Sequence, residues 1–234
     1  MKKISVCMAT YNGSKYIRQQ LESILNQLSE DDEIIISDDG STDDTFRIIE
    51  DICDKRIKVY NNTKHGCKFN FENAINHASG EIIFLSDQDD IWEQNKVEIV
   101  RTALETCDFV VSDACIIDGD GNFTGESFYE LRRPYRGYWG NLIKFGYLGC
   151  TMAFNKRVLK KILPFPPYKK YCTHDNWIFC AATTFFPFKV LDEKLIRYRR
   201  HGNNVSTLKT ETTIFRKVLY RSLLLLNLVK KIFK

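Results

Sequence analysis

Ile82-Ile83-Phe84-Leu85-Ser86-Asp87-Gln88-Asp89-Asp90-Ile91-Trp92 passes from an unbroken apolar run into three carboxylates within four residues. A short apolar run of this kind reads as a buried strand, which puts the acidic residues at its carboxyl end. Carboxylates repel one another and resist burial, so Asp87, Asp89 and Asp90 together cost stability unless a cation offsets them. Hard divalent ions such as Mg²⁺ and Mn²⁺ take oxygen ligands, commonly one or two carboxylates plus substrate phosphates. Taken alone, the stretch fits equally well a solvated acidic turn capping a helix that begins near Trp92, because aspartate is a good N-cap. The neighbouring sequence decides between the two.

Upstream, apolar strand patterns at Ile4 to Ala9, Glu33 to Ser37 and Ile57 to Tyr60 alternate with helix-period segments. These segments carry Ile17, Leu21, Ile24, Leu25 and Leu28, then Phe46, Ile49, Ile52 and Cys53, then Phe71, Ala74, Ile75 and Ala78 before Gly80. Such alternation predicts an α/β fold, a mostly parallel sheet with helices on both faces. Ligands of such sheets bind beyond the carboxyl ends of the strands. Three polar turns fall there: Thr10-Tyr11-Asn12-Gly13, Asp38-Asp39-Gly40-Ser41 and Asp87-Gln88-Asp89-Asp90. Each alone is an ordinary turn or cap; together at one sheet edge they outline a site.

Downstream, the pattern predicts a helix from Trp92 to about Cys107 and a strand at Phe109-Val110-Val111. Asp118-Gly119-Asp120-Gly121-Asn122 reads as a turn, because the downstream ligand spacing of an EF-hand is missing. Residues 125 to 149 are aromatic, basic and irregular, which suits an acceptor surface on which sugar rings stack, or plain core packing. Cys150 to Phe154 reads as a returning strand, Thr173-His174-Asp175-Asn176-Trp177 as the opening of a helix to about Phe186, and Val190 to Tyr198 as a strand. Asp175 is also explained as a helix-terminal acid, and His201 as a surface histidine.

Of the 234 residues, 44% are hydrophobic and 27% charged, which marks a globular chain of one large domain or one domain with an appendage. The net charge is +4, yet residues 214 to 234 hold six Lys/Arg and no acid, leaving 28 cations against 30 acids elsewhere. A near-neutral body argues against nucleic acid as a partner. Eight cysteines without a CxxC argue against a zinc site or disulfide framework and for a reducing cytosol. The N-terminal run lacks a signal peptide's apolar segment, so the expected location is cytoplasmic.

As a set, Ala9-Thr10-Tyr11-Asn12-Gly13, Asp38-Asp39-Gly40-Ser41, Asp87-Gln88-Asp89-Asp90, His174-Asp175 and Tyr198-Arg199-Arg200-His201-Gly202-Asn203-Asn204 occur in the order of family 2 glycosyltransferases. The chain resembles that family over roughly residues 3 to 206, and is similar to the bacterial branch of rhamnosyl- and other hexosyltransferases that build surface polysaccharides. The resemblance implies a GT-A fold over 1–213, with a nucleotide-sugar-binding half (1–112) and an acceptor-binding half (113–213). It implies single-displacement, inverting transfer from a UDP- or dTDP-sugar to a lipid-linked saccharide. By the same resemblance Asp39 meets the pyrimidine base, Ala9 and Tyr11 shape the base pocket, Asn70 lies near the nucleotide and Asp87 by the ribose. Asp89 and His201 hold Mn²⁺ or Mg²⁺, and Asp175 is the general base. Asn176 departs from the aromatic residue often found after the His-Asp pair, which bears on the acceptor and not on the base.

The implied chemistry is coherent. A glycosyl diphosphate leaves with a charge that a Lewis acid must offset. An acceptor hydroxyl needs a carboxylate to take its proton. Inversion sets that base opposite the leaving group, hence on another segment from the metal. A nucleotidyltransferase would need a Gly-rich, Lys-containing phosphate loop, which is missing. A non-catalytic sugar-nucleotide or saccharide-binding module on the same fold is the alternative, although a binder needs no base. The tail 214–234 interleaves leucines with cations, too short to span a bilayer but suited to lie on one. The expectation is a peripheral protein on the inner face of the cytoplasmic membrane, with packing of the tail on the body or on another subunit of an oligomer as the competing reading.

Overall fold

Strands β1 (Ile4–Thr10), β2 (Glu33–Asp38), β3 (Ile57–Asn61) and β4 (Ile82–Asp87) lie side by side in the order β3-β2-β1-β4, every pair parallel. Successive residues of each strand enter different cores. Val6, Met8, Ile34, Ile36 and Phe84 pack with helices α1 (Ile17–Leu25) and α2 (Thr45–Ile52), while Cys7, Ile35, Ile83 and Leu85 pack with α3 (Cys67–His77). Burial on both faces explains why these strands read as continuous apolar runs. The computed structural model describes residues 1–143, 145–168, 172–202 and 213–233.

Beyond β4 the sheet becomes mixed. β8 (Met152–Asn155) is antiparallel to both β4 and β6 (Phe109–Ile117), so it joins the two halves of the chain in one continuous sheet. β9 (Phe188–Arg199) runs parallel to β6, β7 (Phe123–Ser127) forms a hairpin with β6, and β5 (Ile91–Trp92) adds antiparallel to the far side of β9. The described residues thus form a nine-stranded sheet, and the second core receives α8 (His174–Phe185) and α9 (Ile214–Ile232). Two short helices, α5 (Phe128–Arg132) and α6 (Tyr138–Ile143), cover the aromatic region, and α7 (Leu159–Ile162) follows β8. Phe128 and Tyr147 are buried there, whereas Tyr135 and Trp139 are exposed.

The helix expected from Trp92 starts later, as α4 (Lys96–Ala103). Ile91 and Trp92 instead pair with Arg197 and Ile196, the Trp92 ring lies 5.3 Å from Phe84, and the Trp92 backbone N–H donates to Ser23 Oγ at 3.0 Å. Long-range strand pairing here overrides the local capping pattern.

Candidate active site

The three polar turns meet at the carboxyl edge of β1, β2 and β4, locked to one another by side chains. Gln88 clasps the turn after β1: its Oε1 accepts from the Tyr11 N–H and its Nε2 donates to the Tyr11 carbonyl, both at 2.9 Å. Gly13 permits this approach, because a Cβ there would stand 2.4 Å from Gln88 Oε1. Ala9, at the end of β1, lies opposite both Ser37 and Asp87, and Tyr11 is exposed beside it. Asn70 of α3 ties in the same edge by donating from Nδ2 to the Thr10 carbonyl at 2.9 Å; its buried Oδ1 has no hydrogen-bond partner among the described residues.

The Asp38-Asp39 pair divides its work. Buried Asp38 accepts from the N–H groups of Gly40 and Ser41 and from the hydroxyls of Ser41 and Thr10, and so builds the turn. Asp39 faces the cleft: Oδ1 accepts from Asn62 Nδ2 at 2.9 Å and lies 3.1 Å from His65 Nδ1, and Oδ2 accepts from the Gly66 N–H at 2.7 Å. The carboxylate therefore orders the approach to α3 at the edge of the pocket.

The acidic turn is split in the same way. Asp89 Oδ2 lies 2.8 Å from His201 Nε2, two residues 112 positions apart in the chain brought together by β9. Arg199 positions both, its Nε donating to the Asp89 carbonyl at 2.9 Å and its backbone N–H to Asp90 Oδ1 at 3.0 Å, while its guanidinium stacks on Tyr16, which also lies against His201. Asp90 is fully buried, and Oδ2 has no N–H or O–H partner among the described residues. It is more than the cap of a following helix, for Asp87, Asp90 and the Cys150 thiol present donor atoms within 4.8 Å of one another. Burial, then the charge of Asp89, pushes the Asp87 carboxyl up to about 7, and the same causes hold Asp90 well above its ordinary value.

Asp175 stands in the first turn of α8, on the far side of the cleft, with Oδ1 accepting from the Asn176 N–H at 2.8 Å. Its neighbour His174 stacks on Phe71 at 4.2 Å, and burial lowers its affinity for a proton. Gly149 makes room for both: a Cβ there would lie 2.6 Å from His174 Nε2 and 3.3 Å from Asp175 Cβ.

The structure thus brings Asp39, Asp87, Asp89 and Asp175 within electrostatic reach of Cys67, sets His201 on Asp89 and places Ala9, Tyr11 and Asn70 at the adjoining end of β1; Asn203 and Asn204 lie outside the described residues. Sequence reasoning missed three residues at the same place. Cys67, opening α3, is exposed, and the charges of Asp87, Asp175, Asp39 and Asp89 reach it. Cys150 reaches the acidic pair from the turn just before β8; the returning strand was legible in the sequence, its neighbours in space were not. Lys96 is fully buried, donates from Nζ to the Cys150 carbonyl at 3.1 Å and lies 4.2 Å from the Trp92 ring; burial pulls it down to about 7. Its place on the Val100-Ala103 face of α4 was a legible sign of burial.

A carboxylate with an imidazole suits a divalent cation of the Mn²⁺ type. Bonds of about 2.0–2.1 Å in an octahedron space adjacent ligand atoms by about 3 Å, which the 2.8 Å between Asp89 Oδ2 and His201 Nε2 matches. With the unpartnered Asp90 oxygen behind them, these residues fit a divalent metal.

The sequence profile of the family described as "Glycosyl transferase family 2" matches residues 5–163. The dTDP-rhamnosyl transferase RfbG of Shigella flexneri is 30% identical, over 84% of this chain and 72% of that protein. The UDP-Glc:alpha-D-GlcNAc-diphosphoundecaprenol beta-1,3-glucosyltransferase WfaP of Escherichia coli is 29% identical, over 92% and 84%. Three other relatives are spanned over 66%, 67% and 42% of their length, about two thirds at most. Among solved structures, S. aureus TarS in complex with UDP-GlcNAc superposes with a TM-score of 0.71 at 20% identity, over 87% of this chain and 60% of that one. Glucosyl-3-phosphoglycerate synthase from Mycobacterium tuberculosis, in complex with Mn²⁺ and UDP, superposes at 0.62 and 16% identity, over 98% and 80%. At such identities the superpositions establish a shared fold.

Proposed function

The chain belongs to glycosyltransferase family 2, and on that premise we propose that it transfers a hexose or deoxyhexose, with inversion, from a UDP- or dTDP-sugar to a hydroxyl of a lipid-linked saccharide. The observation that carries this reading is the pairing of Asp89 with His201 and the presence of Asp175, on a separate helix, within electrostatic reach of Asp87. The names of the relatives support the substrate classes: WfaP names a UDP donor and a diphosphoundecaprenol-linked acceptor, and RfbG a dTDP-linked donor. Acceptors of that kind put the work at a membrane, and the expected station is peripheral, on its inner face.

In this reading Asp39, with Ala9 and Tyr11, receives the base, Asn70 lies near the nucleotide, and Asp87 meets the ribose. Asp89 and His201 hold Mn²⁺ or Mg²⁺; when bound, the cation offsets the diphosphate charge as a Lewis acid. Asp175 accepts the acceptor proton at its carboxylate as the new bond forms. The turn at Gly149 keeps that carboxylate against the cleft, and Arg199 keeps Asp89 and Asp90 in register.

The decisive experiment pairs transfer with binding. Asp175→Asn should lower turnover by about 10²–10⁴-fold while leaving nucleotide-sugar affinity, measured by calorimetry, nearly unchanged. Transfer by the variant at the native rate overturns the base, and absence of transfer by the native protein across a panel of UDP- and dTDP-sugars with lipid-linked acceptors favours the binding module.

A further inference from the structure

The two long faces of α9 meet different surroundings. Its inner face is built into the molecule: Leu224 and Leu228 are buried in the core that holds Trp177 and Cys180 of α8. Polar ties fix the same face along its length. Arg221 Nε donates to the Leu142 carbonyl at 3.1 Å, Lys161 Nζ to the Lys231 carbonyl at 2.6 Å, and Lys231 Nζ to the Leu163 carbonyl. The Tyr220 hydroxyl pairs with the side chain of Thr173, the N-cap of α8. The helix is therefore a fixed part of the body, and not a free tail.

The outer face carries Phe215, Val218, Leu225, Leu226, Val229 and Ile232, each at least 45% exposed. Their spacing follows one side of a helix, so they form a continuous stripe, with Ser222 in the gap between Val218 and Leu225. A stripe of this size is unusual on a surface that meets only water. The sequence around it holds cations and no acid from residue 213 to 233, whereas the rest of the chain carries a slight acidic excess. No helix among the described residues is long and apolar enough to cross a membrane.

We propose that the outer face of α9 lies flat on an anionic lipid bilayer, with its apolar stripe at the acyl boundary and Lys230, exposed one turn beyond Leu226, among the headgroups. A bilayer fits better than a second copy of the chain, because a twofold contact through this stripe brings together two helices that carry cations and no acid. An anionic surface instead attracts that charge, so the apolar stripe and the charge act in the same direction. The proposal deepens the functional reading, on which it rests for the presence of lipid near the acceptor, by naming the surface that docks. Through Tyr220 and Thr173 the docked helix touches the residue before His174-Asp175, so lipid contact and the proposed base share one rigid element.

The test uses the whole chain, without donor or acceptor, in flotation with vesicles of phosphatidylcholine alone or mixed with phosphatidylglycerol. Binding to the mixed vesicles should exceed binding to phosphatidylcholine by at least about tenfold and weaken with salt. The double variant Leu226→Glu/Val229→Glu should lose that binding with its circular dichroism and melting temperature unchanged, since both side chains point outward. Equal partition onto the two vesicle types, or native-like binding by the double variant, overturns the proposal. So does a dimer in light scattering that the double variant dissolves while vesicle binding is absent, which assigns the stripe to a second copy. Vesicle binding that persists in a protein without transferase activity would count against the enzyme reading and leave the docking surface standing.

Discussion

Glu33 and Asp90 are buried carboxylates on opposite edges of one sheet, and their surroundings could hardly differ more. Glu33, at the start of β2, accepts from the Ser5 hydroxyl, the Ser79 N–H and hydroxyl, and Lys58 Nζ, with Lys3 at 3.6 Å. Burial alone would raise its carboxyl, but the hydrogen bonds from Lys58, Ser5 and Ser79 hold it down to about 2. Asp90, beyond the end of β4, has one backbone donor for Oδ1 and none for Oδ2, and stands beside Asp87 and Asp89. The fold can therefore satisfy a buried acid fully, and does so where only structure is at stake. At the other edge it leaves Asp87 and Asp90 with few donors and buried Lys96 as a counter-charge, so their titration is strongly perturbed, as is common at functional sites.

Variants at the two edges can break this contrast. The largest expected effect is on binding: Asp89→Ala should weaken Mn²⁺-dependent nucleotide-sugar affinity by about 10–100-fold, whereas Glu33→Gln should leave it unaltered. Calorimetry with and without Mn²⁺ measures both, and metal-independent affinity in the native protein would remove Asp89 and His201 from the metal role. Next in size is stability. Glu33→Gln should cost about 2 kcal/mol in denaturant melts, because charge-assisted bonds are lost in a buried place. Asp90→Asn should change stability by no more than about 1 kcal/mol, since the Asp90 carboxyl is held well above its ordinary value and the amide replaces one largely neutral group by another. Equal losses in the two variants would show that the edges are not electrostatically different.

The pH dependence separates the two edges as well, and the signs oppose each other. Glu33 is held below its ordinary value of 4.5, so its contribution is complete above that pH and fades as the pH falls towards about 2. Asp87 is raised to about 7 from 3.8; in that window the folded chain keeps a proton that the unfolded chain has lost, so stability declines as pH rises through it. Melting curves from acid to neutral pH should show the acid limb reduced in Glu33→Gln and the decline flattened in Asp87→Asn. Superimposable curves for native protein and variants would contradict both assignments.

Local pattern made much of this legible. The unbroken apolar runs of β1, β2 and β4 and the helical spacing of Ile17, Leu21 and Ile24 reported elements that are buried on both faces or on one, and such burial needs no knowledge of partners. Motif order brought Asp39, Asp89, Asp175 and His201 to notice together, and the fold brings the three acids within electrostatic reach of Cys67 and His201 onto Asp89. What failed was whatever depends on distant pairing. Ile91-Trp92 looked like the entry to a helix and is a strand because Ile196 and Arg197 arrive beside it. The tail is a different case: the sequence leaves a membrane appendage and a packed helix both open, and α9 is seated in the core on one side while apolar on the other.

By itself, then, the sequence determined the periodicities, the strand ends that carry polar turns, and the family to which those turns belong. Only the tertiary structure decided which acid does what. Asp38 became a turn-builder and Asp39 a wall of the cleft through neighbours at residues 62–66. Asp90, Cys150 and Lys96 came together because β8 inserts between β4 and β6 and carries the turn before it over the acidic end of β4. Hydrophobic periodicity is a property of neighbours along the chain. The field at a carboxylate is summed over neighbours in space, and the sheet order that supplies them is settled only when the chain has folded.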